Sequence, residues 1–135
     1  MTRARNNQRR TDRRGSVAIE YALILPALLM FIIGIIDVSR LLWTYTTLYR
    51  ATEAAARCAA INTTDCGTTA NVQSYAASQA FGLTVTSSAF TVTTPSCGVQ
   101  VAASYDFTFA IPAFITSLGT VTLKATACYP LATSS

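Results

Sequence analysis

Residues 16–36 read SVAIEYALILPALLMFIIGII, a run of 21 positions with a single charged side chain, Glu20. As a helix such a run covers about 30 Å, the thickness of bilayer hydrocarbon. On the N-terminal side stand Arg3, Arg5, Arg9, Arg10, Arg13 and Arg14, opposed only by Asp12. Arginines directly before an apolar span hold that end in the cytoplasm, and Arg9, Arg10, Arg13 and Arg14 lie close enough to set topology. Everything after Asp37 is then expected on the far side.

The composition agrees with a lipid-facing segment. Of 135 residues, 51% are hydrophobic and only 12% charged, which is lopsided for a chain that meets water alone. The net charge of +4 belongs to the leader: from Ser16 onward four cations face five acids. A basic arm can also bind nucleic acid, but this one abuts a span, so no nucleic-acid partner is expected. The leader has no hydrophobic periodicity and is expected to be disordered.

No small-x-small cleavage pattern follows the apolar core, as it would in a conventional signal peptide. The chain continues instead as DVSRLLWTYTTLYRATEAAARCAA, residues 37–60, with helical periodicity. Leu41, Tyr45, Leu48, Thr52, Ala55 and Ala59 fall on one face, and Arg40, Thr47, Arg50 and Arg57 largely on the other. The span is thus expected to run on as an amphipathic helix to about Ala60, with Pro26 and Gly34 as places where it could bend. Trp43 and Tyr45 fall near the outer interface, and Asp37 with Arg40 reads as a solvated pair where lipid stops.

Beyond a turn-rich loop at residues 62–69, residues 71–81 predict a second helix, and Gly82 suits its end. Residues 83–94, 98–110 and 120–129 are rich in Val, Thr, Tyr and Phe and predict three strands. The middle one alternates, with Val99, Val101, Ala103, Tyr105, Phe107 and Phe109 on one side. Asp106 among them is expected to face solvent. A three-stranded antiparallel sheet needs a cover for its apolar face, and the far half of the long helix can supply it. The fold class is therefore α+β: a transmembrane and amphipathic helix packed on a small antiparallel sheet. Residues 1–15 form a leader, 16–36 a span, and 37–135 an exported helix-plus-sheet domain.

The four cysteines, Cys58, Cys66, Cys97 and Cys128, all follow the apolar run. An even number on the exported side points to disulfides, with buried free thiols as the alternative. Of three possible connectivities, pairing the second and third strands about residues 110–119 sets Cys97 near Cys128 and leaves Cys58 for Cys66. No zinc or other metal site is expected, since there is no histidine and no C-x-x-C pair. An enzyme is not expected either. There is no imidazole to activate a thiol, no phosphate loop and no readable pair of carboxylates, so neither a cofactor nor a small-molecule substrate is implied.

The junction RRGSVAIEYALILPALL carries the functional signal: a basic leader ends on Gly15, and a carboxylate stands five residues later in an apolar helix. A lone carboxylate in hydrocarbon costs several kcal/mol and needs a partner, unless it snorkels to the cytoplasmic face. The arrangement resembles the processing site of type IV prepilins. Glu20 and Tyr21 resemble more closely the G/XXXXEY site of Flp pilins and of the TadE and TadF pseudopilins of the tight-adherence (Tad) system. ALILPALLMFIIGIIDVSRLLW, residues 22–43, looks like the TadE-like domain, and the resemblance covers roughly residues 12–57.

That resemblance implies a pilin-like fold and a pseudopilin or minor pilin active in Flp/Tad pilus assembly, secretion and adhesion. Its partners would be the membrane, a prepilin peptidase, other pilin-like subunits and the Tad secretion platform. It places the chain in the bacterial inner membrane, N-terminus cytoplasmic, with the domain periplasmic or extracellular. It further implies cleavage between Gly15 and Ser16, and pairing of Glu20 with the N-terminal amine of a neighbouring subunit. The alternative is an uncleaved single-pass membrane protein with a small interaction domain.

Overall fold

The structure is a computed structural model that describes residues 5–110 and 119–131, with residues 5–16 described by their backbone alone. The chain divides into two compact units, residues 1–37 and 38–135. Helix α1 (Arg5–Ile61) is the one element that belongs to both.

In the first unit the backbone is helical from Arg5 onward, and this corrects the expectation of a disordered leader. The physical reason is that extension of an existing helix carries no nucleation cost, and arginine and glutamine are good helix formers. Residues 1–4 of that leader lie outside the described residues. The helix continues through Pro26 and Gly34. Pro26 offers no N–H to the carbonyl one turn before it, a loss that spanning helices tolerate through local adjustment.

In the second unit the far part of α1 buries a stripe of Thr44, Leu48, Ala51, Thr52, Ala55 and Ala56. The stripe keeps helical period but is rotated from the expected one. Tyr45 is 44% exposed, while Leu41 and Ala59 are only half-buried. Small residues let the helix approach its neighbours closely, and a tyrosine there would hold the layers apart. The buried hydroxyls are satisfied within the helix: Thr44 Oγ1 donates to Arg40 O at 2.8 Å and Thr52 Oγ1 to Tyr49 O at 2.7 Å.

Helix α2 (Thr69–Gln79) begins at an N-cap, Thr68, whose hydroxyl accepts from the Asn71 N–H at 3.3 Å. It ends two residues earlier than expected, so Phe81 lies beyond the helix, and Gly82 follows at φ +77°. Val72 and Ala76 are its buried residues.

Strands β1 (Phe90–Thr93), β2 (Val99–Thr108) and β3 (Thr120–Tyr129) form an antiparallel sheet in that order. The first strand is shorter than the predicted 83–94. A 3₁₀ turn at Ser87–Ala89 precedes it, closed by Ala89 N–H donating to Thr86 O, because neighbouring Ser and Thr residues favour local bonds over a ladder. In β2 the alternation holds: Val99, Val101, Ala103 and Phe107 are buried, and Ser104, Asp106 and Thr108 are exposed. Register places Phe90 beside Ala103, Val101 beside Ala127 and Ala103 beside Ala125. Those apolar residues join Leu48, Ala51 and Ala55 of α1 and Val72 and Ala76 of α2 in one core. The fold is α+β, a long apolar helix packed on a three-stranded antiparallel sheet. The β2–β3 connection, residues 111–118, and the last four residues lie outside the described residues.

Two disulfides close the second unit. Cys58 pairs with Cys66 across the loop that follows α1, with Cα atoms 5.8 Å apart. Inside that loop the Asn62 side-chain carbonyl accepts from the N–H groups of Thr64 and Asp65. Cys97 pairs with Cys128 at the open end of the β2–β3 hairpin, with Cα atoms 6.4 Å apart. Gly98 beside it sits at φ +125°, and a Cβ there would fall on the Tyr129 carbonyl.

Candidate functional site

The apolar stretch of α1 is bare. Ile19 is 65% exposed, Leu23 74% and Phe31 68%, and nearly every residue between Val17 and Ile36 is exposed. A soluble monomer shows continuous apolar patches of only about 300–600 Å², far less than such a helix presents. The helix is long and apolar enough to cross a membrane, and almost none of its apolar stretch is buried. Lipid is a solvent able to take up such a surface, and the helix fits membrane anchoring.

Glu20 and Tyr21 are both exposed on this bare segment, Tyr21 at 69%. The Gly15–Ser16 bond lies inside α1, four residues before Glu20, which puts positions 16 and 20 on one face of the helix. Side chains of Arg9, Arg10, Arg13, Arg14 and Ser16 lie outside the described residues.

At the other end of the apolar run the pair at Asp37 and Arg40 differs from the expected solvated pair. Asp37 is 2% exposed. Arg40 is exposed, and its guanidinium carbon lies 5.6 Å from the centroid of the Phe107 ring, within cation–π range. Phe107 in turn meets Phe109 edge-on, centroids 5.2 Å apart. Thus Arg40 is tied to the sheet, and a sequence reading confined to helix neighbours had no means of finding that partner. Asp106 is exposed as expected and accepts from the Thr122 hydroxyl at 2.7 Å.

All four cysteines are in disulfides, and no group of three or more His, Cys, Asp or Glu residues among the described residues could hold a metal ion. A groove of about 530 Å³ runs beside α1, lined by Trp43, Thr46, Thr47, Arg50, Gln79 and Phe81 among others. Phe81 is the residue here that sequence reasoning missed as a surface feature. Its signal was an aromatic next to a helix-ending glycine, a position where a large side chain need not turn inward.

Residues 15–57 match the family model described as TadE-like protein. That stretch of the chain is TadE-like. The match opens on Gly15, takes in Glu20, Tyr21 and the whole bare apolar segment, and closes just before Cys58. No curated protein and no solved structure is significantly similar to the chain. The TadE-like match and the spanning-capable helix together support a Tad-pilus-related membrane protein, and the TadE-like family is one of pilus components.

Proposed function

We propose that the chain is a pseudopilin or minor pilin of a Flp/Tad system, anchored in the cytoplasmic membrane and taking part in pilus assembly, secretion and adhesion. The observation that carries the proposal is the TadE-like match over residues 15–57, which begins at the junction where the basic leader gives way to apolar helix. In this account Arg9, Arg10, Arg13 and Arg14 keep the N-terminus cytoplasmic. A prepilin peptidase cuts between Gly15 and Ser16, where the absence of a side chain on Gly15 lets the backbone approach a catalytic site closely. The new Ser16 ammonium and the Glu20 carboxylate then supply opposite charges one helical turn, about 6 Å, apart along the axis. Glu20 of one subunit pairs with the amine of its neighbour, which removes two unpaired charges from hydrocarbon at once. The exported domain faces other pilin-like subunits and the secretion platform, and the chain performs no catalysis.

One observation favours a second reading, an uncleaved single-pass anchor: α1 is helical on both sides of the Gly15–Ser16 bond, so a peptidase must first unwind that turn. Deletion of the gene in its host, with complementation, tests the first account. Loss of sheared surface fibres that returns with the wild-type gene is expected. Unchanged fibre output in the deletion strain would remove the assembly role and leave the anchored interaction domain.

A further inference from the structure

Trp43 is the chain's single tryptophan and is 64% exposed, on the part of α1 that packs against the sheet. Phe81, just beyond α2, is 69% exposed. The two come from different elements yet line one groove, and a Cβ on Gly82 would stand 3.9 Å from the Trp43 indole nitrogen. Neither belongs to the core cluster, and among the described residues the indole N–H has no hydrogen-bond partner. Two large aromatic side chains held together outside the core, one with an unused donor, suit a medium that is apolar on one side and wet on the other.

Path length along α1 says which medium is in reach. At 1.5 Å per residue, Arg40 lies no more than about 6 Å beyond Ile36, and Trp43 no more than about 10 Å. The headgroup layer adds about 5–8 Å outside the hydrocarbon. Helical side chains lean toward the N-terminus, so the indole lies over the α1 turn that precedes Trp43.

We propose that Trp43 and Phe81 form an interfacial foot that seats the exported domain in the phospholipid headgroup layer. The occupant of this surface is lipid, chosen over a second copy of the chain because covalent attachment to the span keeps headgroups within reach at any protein density. The proposal rests on residues 16–36 crossing the membrane.

Trp43 is its own probe. The full chain is reconstituted at high dilution in phosphatidylcholine vesicles, with and without phosphatidylglycerol, carrying quenchers either at headgroup depth or deep in the acyl chains. Expected are blue-shifted emission, stronger quenching by the shallow label than by the deep one, and a red shift with loss of shallow quenching in Phe81→Ser. Phe81 is exposed, so that variant keeps its fold, and it should stay resistant to alkaline carbonate extraction. Emission quenched by aqueous iodide and untouched by the shallow label overturns the proposal while leaving the span intact. Blue-shifted emission that appears only at high protein density assigns the groove to a second copy and also overturns it. Extraction of the wild-type chain by carbonate would remove the span itself, and the foot with it.

Discussion

Removing the hairpin disulfide, as Cys97→Ser with Cys128→Ser, tests what holds a three-stranded sheet together. The bridge closes a segment of 31 residues and ties the open end of β2–β3, where Gln100 faces Cys128 in register. In the chain-entropy treatment a loop of that size removes about 3.7 kcal/mol of freedom from the unfolded state. Both cysteines are exposed, so serine at these positions leaves no buried hydroxyl and the whole effect is the lost crosslink. The shorter Cys58–Cys66 loop, with separation 8, has a smaller entropic share of about 2.5 kcal/mol. There, however, Cys66 is buried, and serine would add a desolvation cost of its own. A loss near 4 kcal/mol is a large part of the roughly 5–15 kcal/mol that a domain possesses. The assay is urea-dependent pulse proteolysis of the full chain in detergent, scoring the disulfide-bonded fragment. A loss under about 1 kcal/mol would refute the reasoning, because the unfolded hairpin would then be no freer without its crosslink.

Further expectations follow from single positions. Gly98→Ala should destabilise the domain by more than about 1 kcal/mol, since φ +125° strains any side chain and its Cβ meets the Tyr129 carbonyl; an unchanged urea midpoint would contradict this. Glu20→Ala should insert as well as wild type or better, yet lower pilus output in the host. Normal fibre yield from that variant counts against charge pairing. Gly15→Leu should give an inserted chain that keeps its leader, visible as a slower band on gels of host membranes; normal processing would sink the assignment of the cut. Phe90→Ala removes the largest fully buried side chain and should cost about 3–5 kcal/mol by the same proteolysis assay, with a near-neutral result excluding the described core.

The features legible from residues alone were those set by period and by charge. Twenty-one positions with one charge can only be a lipid-facing helix or a deeply buried one, and α1 leaves them bare. Alternation along Val99–Phe107 placed the buried face of β2 correctly, because a strand offers just two sides. A helix offers a continuum of faces. The buried stripe of α1 therefore turned out rotated toward Ala51 and Ala56, small residues whose value lies in close packing that no hydropathy scale registers. Residues 83–89 have the composition of a strand, but hydroxyl-rich Thr86–Ser88 turned the backbone onto itself and left only Phe90–Thr93 to pair. At the candidate site, Gly15, Glu20 and Tyr21 were singled out by motif alone. The burial of Asp37 and the stacking of Arg40 over Phe107 were not, since that contact joins positions far apart in sequence.

The central claim is that this chain enters the membrane as a precursor and matures at Gly15–Ser16 before it joins an assembly. N-terminal sequencing or intact mass of the protein recovered from membranes of its native host tests it most directly. A chain that begins at Ser16, with both disulfides intact, is the predicted result. A chain that begins at Met1 would contradict it and make the uncleaved anchor the better account.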